Sequence, residues 1–452
     1  MIKIKVDFAR CDANGSCAAL MPDVFEIGGD GTLKLLKSEV EENRKDEVEE
    51  VILCCPMGAI SRGSDALPAV EPFSAEPQPH MGGAIEGKPL GFGSAGYVVL
   101  SYALAARVLR DSRFRNAALD LMEQFGITTG PVHEFRARSV LMAEGPQHMR
   151  LRAPLARFMG PNTVEAIRDV LRDILGDIMH GMSGQVPFHT AVADPIPARI
   201  YCHLAGAPTS DAPKVASLSA RTLSLLSRDR SLAPMILAAY DELFDYLRNL
   251  FARKKADGLG SDMLSFLIRE QEAGKLSPEE LLNEATAMLE ASSVNTSHQI
   301  GLTVWALLRN RDIWSRIRND ASLIPAAVVE ATRLFPRPGI VSRIATESID
   351  LDGTVIPQGT DVHVAIWSAN RDPERFERPG EFDLHRERNQ PLTFSTGAHG
   401  CLGQSLARVE MEEVVRYLAT HYPNSVVVDD ATEVAQVGGR WLVKSLAVDL
   451  RK

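Results

Sequence analysis

Residues 394–410 read Phe394-Ser-Thr-Gly-Ala-His399-Gly-Cys401-Leu-Gly403-Gln-Ser-Leu-Ala-Arg-Val-Glu410. The cysteine is flanked by glycines, and a run with helical periodicity follows it. Because glycine has no Cβ, the backbone of this segment can approach a large planar ligand closely. Cys401 is expected at the N-terminus of the helix, where the dipole and the free N–H groups stabilise a thiolate. The segment therefore predicts a thiolate that is presented to a large planar ligand.

This segment closely matches the haem-binding loop of the cytochromes P450, Phe-x-x-Gly-x-His-x-Cys-x-Gly, and residues 91–452 resemble that family. The resemblance implies that Cys401 binds the iron of haem b and that Phe394 and Gly403 belong to the cofactor-binding loop. Glu330 and Arg333 match the Glu-x-x-Arg of the family's K helix and lie on one helical face. Arg386 matches the third member of that ion network. The resemblance gives these three residues a structural role in holding the loop of Cys401.

The same resemblance implies four partners for the haem propionates. His148 and Arg152, in His148-Met-Arg-Leu-Arg152, match the family's propionate-binding helix. Arg343 and His399 are similar to the remaining partners. Cationic donors suit carboxylates at close range.

A departure from the family pattern falls where a proton relay is expected. The family carries an acid and an alcohol within Ala-Gly-x-Asp/Glu-Thr, and the aligned stretch reads Ser292-Ser293-Val-Asn295-Thr296-Ser297. Thr296 is the expected alcohol, but Asn295 replaces the acid, and an amide cannot deliver a proton as a carboxylic acid can. Either hydroxyls such as that of Ser293 form the relay with water, or the chemistry is not simple hydroxylation.

Four of the six cysteines lie within the first 55 residues. Cys11 and Cys17 are separated by five residues, and Cys55 is followed by Pro56. Thiolates suit zinc or iron–sulfur clusters, but zinc sites use tighter pairs of ligands. The small residues between Cys11 and Cys17 suit a loop around a cluster, and Cys-Pro ends bacterial cluster motifs.

This region resembles the single-cluster bacterial ferredoxins, whose pattern is Cys-x-x-X-x-x-Cys followed by Cys-Pro. Position X, the fourth ligand, is Asn14 in this sequence. The resemblance implies a [3Fe–4S] cluster on Cys11, Cys17 and Cys55, and a [4Fe–4S] cluster with a non-thiolate fourth ligand stays open. We expect Cys54 to be a buried apolar residue. The alternative is four thiols without a metal.

The sequence divides into three parts. Residues 1–62 carry eight Lys or Arg and twelve Asp or Glu, a net charge of −4, and are predicted to be a small α+β ferredoxin-like domain. Residues 63–90, rich in Pro and Gly, predict a linker or an ordered strap. Residues 91–452 predict a mainly α fold with minor β, the cytochrome P450 fold. The family's extra helix before the first strands is missing, so we expect the ferredoxin or the linker to pack there.

Composition excludes several classes of protein. The net charge of −10 makes nucleic acid an improbable partner. No apolar run reaches the roughly 18 residues of a membrane span, and the N-terminus lacks the order of a signal peptide, so we expect no membrane partner and a cytoplasmic location. Six cysteines in 452 residues exclude a disulfide framework.

Gly91-Phe-Gly-Ser-Ala-Gly96 spells a dinucleotide fingerprint, but a helix must follow that motif at once and a strand is predicted instead.

The function that the two resemblances imply is a haem-thiolate monooxygenase. It would use O2 to oxidise a small, mostly apolar organic substrate. Electrons would come from NAD(P)H through a separate ferredoxin reductase and the fused cluster. By resemblance, substrate contacts are expected in four segments: 128–138, 222–227, 290–296 and 339–341. Two alternatives stay open, a P450 scaffold with non-oxygenating or coupling chemistry and a sensor of haem and cluster type.

Overall fold

The computed structural model describes residues 2–8, 10–62, 67–74, 82–85, 87–124, 126–227, 229–387, 389–437 and 439–452. Of the predicted linker, residues 63–66, 75–81 and 86 therefore lie outside the described residues. The chain forms two compact units. The first comprises Met1–Arg115 and Ile340–Pro379, and the second comprises Asn116–Gly339 and Gly380–Lys452.

Residues 2–8 and 10–62 carry a small α+β arrangement within the first unit. Its elements are β1 (Ile2–Val6), α1 (Ser16–Leu20), β2 (Phe25–Ile27), β3 (Leu33–Leu35), β4 (Glu39–Val40), α2 (Lys45–Cys54) and β5 (Ile60–Arg62). The sequence alternates apolar and charged residues from Ile2 to Phe8, which predicts a strand, and in β1 Ile2 and Ile4 are indeed buried between exposed lysines. The charged, amphipathic stretch from Ser38 to Leu53 predicts a helix, but α2 begins only at Lys45. The reason is that Val40 pairs with Ile2 in the antiparallel sheet β4-β1-β5.

Residues 67–116 lead into the larger fold. They include β6 (Leu90–Gly93), β7 (Gly96–Val99), α3 (Tyr102–Arg110) and β8 (Phe114–Asn116). The glycine-rich motif lies in the antiparallel hairpin β6–β7 with no helix immediately after it, so it lacks the structure of a dinucleotide site. Close packing accounts for Gly93, because a Cβ there would lie 2.0 Å from the carbonyl oxygen of Val70.

Residues 116–339 are almost entirely helical. The elements are α4 (Ala118–Gln124), α5 (Pro131–Ala137), α6 (Gly145–Phe158), α7 (Pro161–Met179), β9 (Gly184–Val186), α8 (Pro195–Ala205), α9 (Ala212–Leu223), α10 (Ala233–Asp257), α11 (Met263–Glu272), α12 (Pro278–Ser292), α13 (Val294–Arg309), α14 (Arg311–Asn319) and α15 (Ile324–Leu334). A π-helical turn, His189–Ala193, precedes α8.

The sequence Ser277-Pro-Glu-Glu280 predicts a capping box, which is present, with Ser277 and Glu280 bonding to each other's backbone N–H groups. The apolar pattern from Leu281 to Leu308 predicts one long helix, but Ser293 divides it into α12 and α13. Next to the break, Ser292 donates to the Leu289 carbonyl (2.8 Å) and Ser297 to that of Val294 (3.2 Å). Hydroxyls that bond to nearby carbonyls in this way compete with the helical ladder.

Residues 340–379 return to the first unit. They form β10 (Ile340–Ala345), β11 (Ile349–Leu351), β12 (Thr354–Ile356), β13 (Asp361–Ala365) and α16 (Ile366–Ala369). The strand order of the main sheet is β6-β7-β13-β10-β8, in which β13 runs parallel to β7 and antiparallel to β10. The sequence is β-like around residues 349–356 and 361–366, and the hairpin β11–β12 and the strand β13 confirm this prediction.

The last part of the chain carries α17 (Gln404–His421), β14 (Val426–Val427), β15 (Glu433–Val437), β16 (Arg440–Ser445) and β17 (Val448–Leu450). Among its described residues, the second unit has two cores. One is built mainly from α7, α8, α13, α15 and α17, and the other mainly from α8, α9, α10, α11 and α12. Of the described residues, 53% are helical and 15% lie in strands, which confirms a mainly α fold with minor β. Cys401 lies in the loop immediately before α17.

Candidate functional site

The loop of Cys401 is shaped by a short turn and by backbone hydrogen bonds. A 3₁₀ turn, Leu392–Phe394, precedes it. The N–H of Cys401 donates to the Phe394 carbonyl (2.8 Å), and that of Gly400 donates to the Gly397 carbonyl (3.1 Å). Gly397 has a φ of +78°, in the left-handed region that favours glycine. These bonds place Cys401 three residues before the first residue of α17.

The thiol of Cys401 lies in a recess. The residue is exposed, yet burial by the surrounding protein raises the pKa of its thiol. A group that is accessible but surrounded by protein atoms lies in a concave site. The backbone N–H of Gly403 and the charge of Arg152 act in the opposite direction and lower the pKa of Cys401. The local groups that favour a thiolate are therefore in place.

Three of the predicted cationic partners meet beside this loop. The guanidinium of Arg152, on α6, donates to the Gly400 carbonyl. The rings of His148 and His399 have centroids 4.3 Å apart, and burial lowers the pKa of His148. Arg343, the fourth expected partner, lies buried on β10 in the other compact unit.

The haem that the family implies can be tested against these side chains. His148 Nε2 is buried and has no hydrogen-bond partner among the described residues. A buried polar nitrogen without a partner costs about 1–3 kcal/mol. A propionate carboxylate would relieve that cost, and it would also suit the cation of Arg152. The recess, the thiol and the donors therefore fit a haem.

Glu330, Arg333 and Arg386 form one buried ion network. Glu330 Oε1 lies 2.7 Å from Arg333 Nε and 3.1 Å from Arg386 Nε. The Asp383 N–H and the Asn389 amide also donate to Glu330, each at 2.9 Å. Sequence reasoning missed Asn389, which no local motif marks.

A further bond joins the helix of this network to the cysteine loop. The hydroxyl of Thr393 donates to the Thr332 carbonyl on α15 at 2.8 Å. The guanidinium of Arg408, on α17, lies over the ring of Phe394 at 5.6 Å. Both contacts fix the segment just before Cys401.

The expected relay residues lie where α12 ends and α13 begins. Ser293 is buried between the two helices, and its hydroxyl lies 3.1 Å from that of Ser292. Asn295 and Thr296 are half-buried in the first turn of α13. The described residues provide no hydrogen bond to the Thr296 hydroxyl, so this group is available to another partner.

A buried polar cluster near the same helix was missed by sequence reasoning. Arg136, on α5, forms an ion pair with Glu290, on α12, at 2.8 Å, and both side chains are more than nine-tenths buried. The Tyr240 hydroxyl is buried near the Glu290 carboxylate of this pair. Burial raises the pKa of Tyr240. The cluster joins two of the segments expected to contact substrate, 128–138 and 290–296.

The first domain brings Cys11, Cys17 and Cys55 together. Burial raises the pKa of the Cys17 thiol, and the thiols of Cys55 and Cys11 raise it further because they lie nearby. Backbone N–H groups donate to two of the sulfurs, from Ala13 to Cys11 (3.4 Å) and from Ala59 to Cys55 (3.3 Å). Such N–H groups stabilise cluster thiolates.

The described residues contain no group of three His, Cys, Asp or Glu side chains spaced for a single metal ion. Ligands of a multi-iron cluster are bound to different irons, so they are spaced more widely than those of one ion.

Burial raises the pKa of Cys54 to about 11. Its thiol donates to the Val51 carbonyl (3.1 Å), so Cys54 is engaged elsewhere, although it is half-buried and not buried. The side-chain Oδ1 of Asn14 accepts from the Ser16 N–H (3.0 Å).

Fold and site together combine a mainly helical unit, in which Cys401 lies just before α17, with a cysteine-rich α+β region earlier in the chain. The family model described as "Cytochrome P450" matches residues 224–422. The model described as "4Fe-4S single cluster domain of Ferredoxin I" matches residues 6–62. Among the described residues, no helix combines the length and the apolar character that crossing a membrane requires.

Similar proteins agree with these matches. Luteothin monooxygenase of Streptomyces thioluteus is 31% identical over 346 residues, which cover 75% of this chain and 85% of that protein. Nocardicin C N-oxygenase of Nocardia uniformis is 31% identical over 343 residues, covering 74% and 84%. The solved structure of CxnD, a P450 described as an enzyme for C–S bond formation in chuangxinmycin biosynthesis, has a TM-score of 0.74. It is 26% identical and covers 85% of this chain and 98% of that one.

The chain therefore belongs to the cytochrome P450 family. It is a P450 monooxygenase preceded in the same chain by a single-cluster ferredoxin domain.

Proposed function

We propose that this monooxygenase oxidises a small, mostly apolar organic substrate and draws its electrons from NAD(P)H through a separate reductase and its own iron–sulfur cluster. The observation that carries the proposal is the recess in which Cys401 lies beside His148, Arg152 and His399. Bound there through Cys401, haem supplies the activation of O2, because a thiolate ligand favours O–O cleavage. The proposed domain boundaries remain 1–62, 63–90 and 91–452.

The surrounding side chains have separate roles in this proposal. His148, Arg152, His399 and Arg343 bind the propionates, and Phe394 and Gly403 shape the loop. Glu330, Arg333 and Arg386 hold that loop through the ion network. These residues position the cofactor and take no part in proton transfer.

Proton delivery depends on the junction of α12 and α13. The free hydroxyl of Thr296 accepts and donates a hydrogen bond at the reacting oxygen, and Ser293 passes protons with water. Asn295 orients that water through its amide and supplies no proton. The absence of an acid at position 295 makes proton supply the slow part of the cycle, since a positioned acid contributes roughly 10²–10⁴-fold.

Electron supply depends on the first domain. Cys11, Cys17 and Cys55 hold the cluster, which is of the [3Fe–4S] type because Asn14 offers no thiolate and its side-chain Oδ1 already accepts from Ser16. The glycine-rich motif at residues 91–96 lacks the helix that a dinucleotide site needs, so the NAD(P)H-dependent ferredoxin reductase of this proposal is a separate partner. Fusion keeps the donor at an effective concentration of roughly millimolar.

The substrate class rests on the similar proteins and on the expected contact segments. Luteothin monooxygenase and pentalenic acid synthase both act, by their names, on organic molecules. The segments 128–138, 222–227, 290–296 and 339–341 are mostly small and aliphatic in sequence. Arg136 and Glu290 form one buried ion pair within these segments.

A second candidate is coupling or another reaction that inserts no oxygen. Asn295 favours it, and so does the similarity to CxnD, whose description names C–S bond formation. Product formed under ¹⁸O2 separates the two candidates. Label in the product supports the monooxygenase, and unlabelled product formed with consumption of O2 supports coupling.

Separate substitutions of the neighbouring cysteines Cys54 and Cys55 test the electron path. Under carbon monoxide, NAD(P)H and a generic ferredoxin reductase are added to the full chain, to Cys55→Ala and to Cys54→Ala. We expect the ferrous–CO band to form in the full chain and in Cys54→Ala, and to form at least tenfold more slowly in Cys55→Ala. Equal rates in all three proteins, with haem content matched, would contradict electron delivery through the cluster.

A further inference from the structure

Within the first compact unit, the edge of the main sheet is covered by other parts of the chain. β6 is the outermost strand, and an edge strand presents unpaired backbone groups. Here the Phe92 N–H donates to the Pro68 carbonyl (3.0 Å), and the Phe92 carbonyl accepts from the Val70 N–H (2.9 Å). Part of the predicted linker is therefore an ordered strap that extends the sheet.

The ring of Phe92 is buried by residues of the iron–sulfur domain. The guanidinium of Arg10 lies over this ring at 4.7 Å and donates to the Phe92 carbonyl at 2.9 Å. Gly58 lies against the ring, because a Cβ on Gly58 would be 2.8 Å from its Cζ. Phe92 is only 7% exposed as a result.

Both residues that contact Phe92 are close in sequence to expected cluster ligands. Arg10 precedes Cys11, and the N–H of Gly58 donates to the Cys55 carbonyl at 3.0 Å. Tyr97 stacks edge-on against Phe92, with centroids 4.9 Å apart. Burial raises the pKa of Tyr97 to about 12, and the nearby Cys55 thiol contributes. The cluster loops therefore face the β6–β7 hairpin.

Beside this contact the interface is less tightly packed. Helix α2 packs against β12, and a cavity of about 250 Å³ lies between the iron–sulfur domain and the strands. About half of its lining is polar, including Arg10, Glu49, Arg62, Asp350 and Thr354. An interface of this kind depends on a few well-packed anchors. Phe92, which receives a stacked cation, a glycine backbone and an aromatic ring, is such an anchor.

We propose that Phe92 and Tyr97 form a docking surface for the iron–sulfur domain of the same chain, and that the domain works from this docked position and does not swing on its linker. Phe92 is a positioning residue in this arrangement. The proposal rests on the electron path proposed above. One electron passes from the reduced cluster to the haem iron, so that the cluster is oxidised and the iron reduced by one electron, and no bond forms or breaks. The separate reductase, with NAD(P)H, replaces the electron.

The first test measures docking without any turnover. Hydrogen exchange is compared between the full holoprotein, Phe92→Ala, Arg10→Met and the control Leu36→Ala, whose side chain is exposed in the same domain. Residues 58–62 and 97–99 are expected to exchange at least tenfold faster in the first two variants and unchanged in the control. Arg10→Met removes the cation that contacts Phe92 and leaves Phe92 itself unchanged. Faster exchange in both variants therefore cannot come from a folding defect specific to Phe92→Ala. Unchanged exchange in both variants would overturn the docking surface.

The second test asks where the domain works. The rate at which a prereduced cluster reduces the ferric haem, with CO trapping the ferrous form, is measured over a tenfold range of protein concentration. We expect a rate independent of concentration in the full chain, and a slower rate in Phe92→Ala at unchanged cluster and haem content. A rate proportional to concentration would overturn donation within one chain. If exchange behaves as expected but no electron reaches the haem, the docking surface stands and the proposed electron path fails.

Discussion

Arg136 and Glu290 form an ion pair that is almost entirely removed from water, with side-chain exposures of 8% and 5%. Two charges are expensive to bury, and their attraction offsets that cost only while both are present. The pair joins α5 to α12, and it leaves Arg136 Nε and Glu290 Oε1 without partners among the described residues. A buried ion pair of this kind fixes the relative position of the two helices more than it stabilises the folded protein.

A double-mutant cycle measures that contribution. Arg136→Met or Glu290→Met alone is expected to lower the free energy of unfolding by about 3–5 kcal/mol, because one buried charge is left unpaired. The double variant is expected within about 2 kcal/mol of the wild type. Arg248→Met, which breaks an exposed pair with Asp245, serves as the control and should change the free energy by less than about 1 kcal/mol. Additive losses in the double variant would show that the two charges do not act as a pair.

Glu410, on α17, is a second buried group, and burial raises its pKa to about 8. Since the folded protein holds this proton more tightly than the unfolded chain does, the carboxyl is neutral when folded. The unfolded chain loses the proton near pH 4.5, the ordinary value for glutamate. The contribution of Glu410 to stability is therefore largest below pH 4.5 and falls as the pH rises towards 8.

Glu410→Gln, which cannot ionise, removes this dependence. We expect the variant and the wild type to have similar free energies of unfolding at pH 5, and the variant to gain relative stability up to pH 8. Urea denaturation at several pH values, with exposed Glu134→Gln as control, provides the comparison. A constant difference across that range would mean that Glu410 ionises normally in the folded protein.

Helix α15 connects the interior of the second unit to the cysteine loop. The carboxylate of Glu330 accepts hydrogen bonds from Arg333, Arg386, Asn389 and the Asp383 backbone N–H. Thr332, on the same helix, accepts the bond from Thr393 in the loop. The position of the loop is thus set by a buried helix and not by the loop's own backbone alone.

Glu330→Gln tests this connection. The amide keeps the shape of the side chain but removes the charge that pairs with two guanidinium groups. We expect a loss of about 3–5 kcal/mol and a lower haem content per chain, measured by denaturation and by absorbance. Glu347→Gln, on the surface near Arg113, is the control. A stable variant with full haem content would show that the network does not hold the loop.

Local motifs explain which elements could be predicted from the sequence. The Cys401 loop, the Glu330-x-x-Arg333 pair and the capping box at Ser277 each depend on residues a few positions apart, so spacing alone indicates them. The break at Ser293 depends on how hydroxyls compete with the helical ladder, and periodicity does not report it. The late start of α2 follows from pairing of Val40 with Ile2, 38 positions away.

Contacts across long sequence separations could not be predicted. Arg136 and Glu290 are 154 residues apart, and Arg10 and Phe92 are 82 apart. No periodicity links such pairs, because only the folded chain brings them together. The resemblance to two families predicted the domains and the cysteine ligands, whereas the covering of β6 by the strap and by Arg10 needed the structure.

The proposed function joins two metal-binding parts of the chain. Electrons from the cluster serve the oxygenase chemistry only if the Cys401 thiolate binds the haem iron. The most direct test is the absorption spectrum of the full chain after reduction with dithionite under carbon monoxide. Cys401→Ser and Cys202→Ser are measured beside it, Cys202 being a buried cysteine on α8 away from the loop. We expect a strongly red-shifted Soret band in the wild type and in Cys202→Ser, and its absence in Cys401→Ser. A wild-type band at the position typical of histidine-ligated haem would contradict the thiolate and, with it, the proposed oxygenase chemistry.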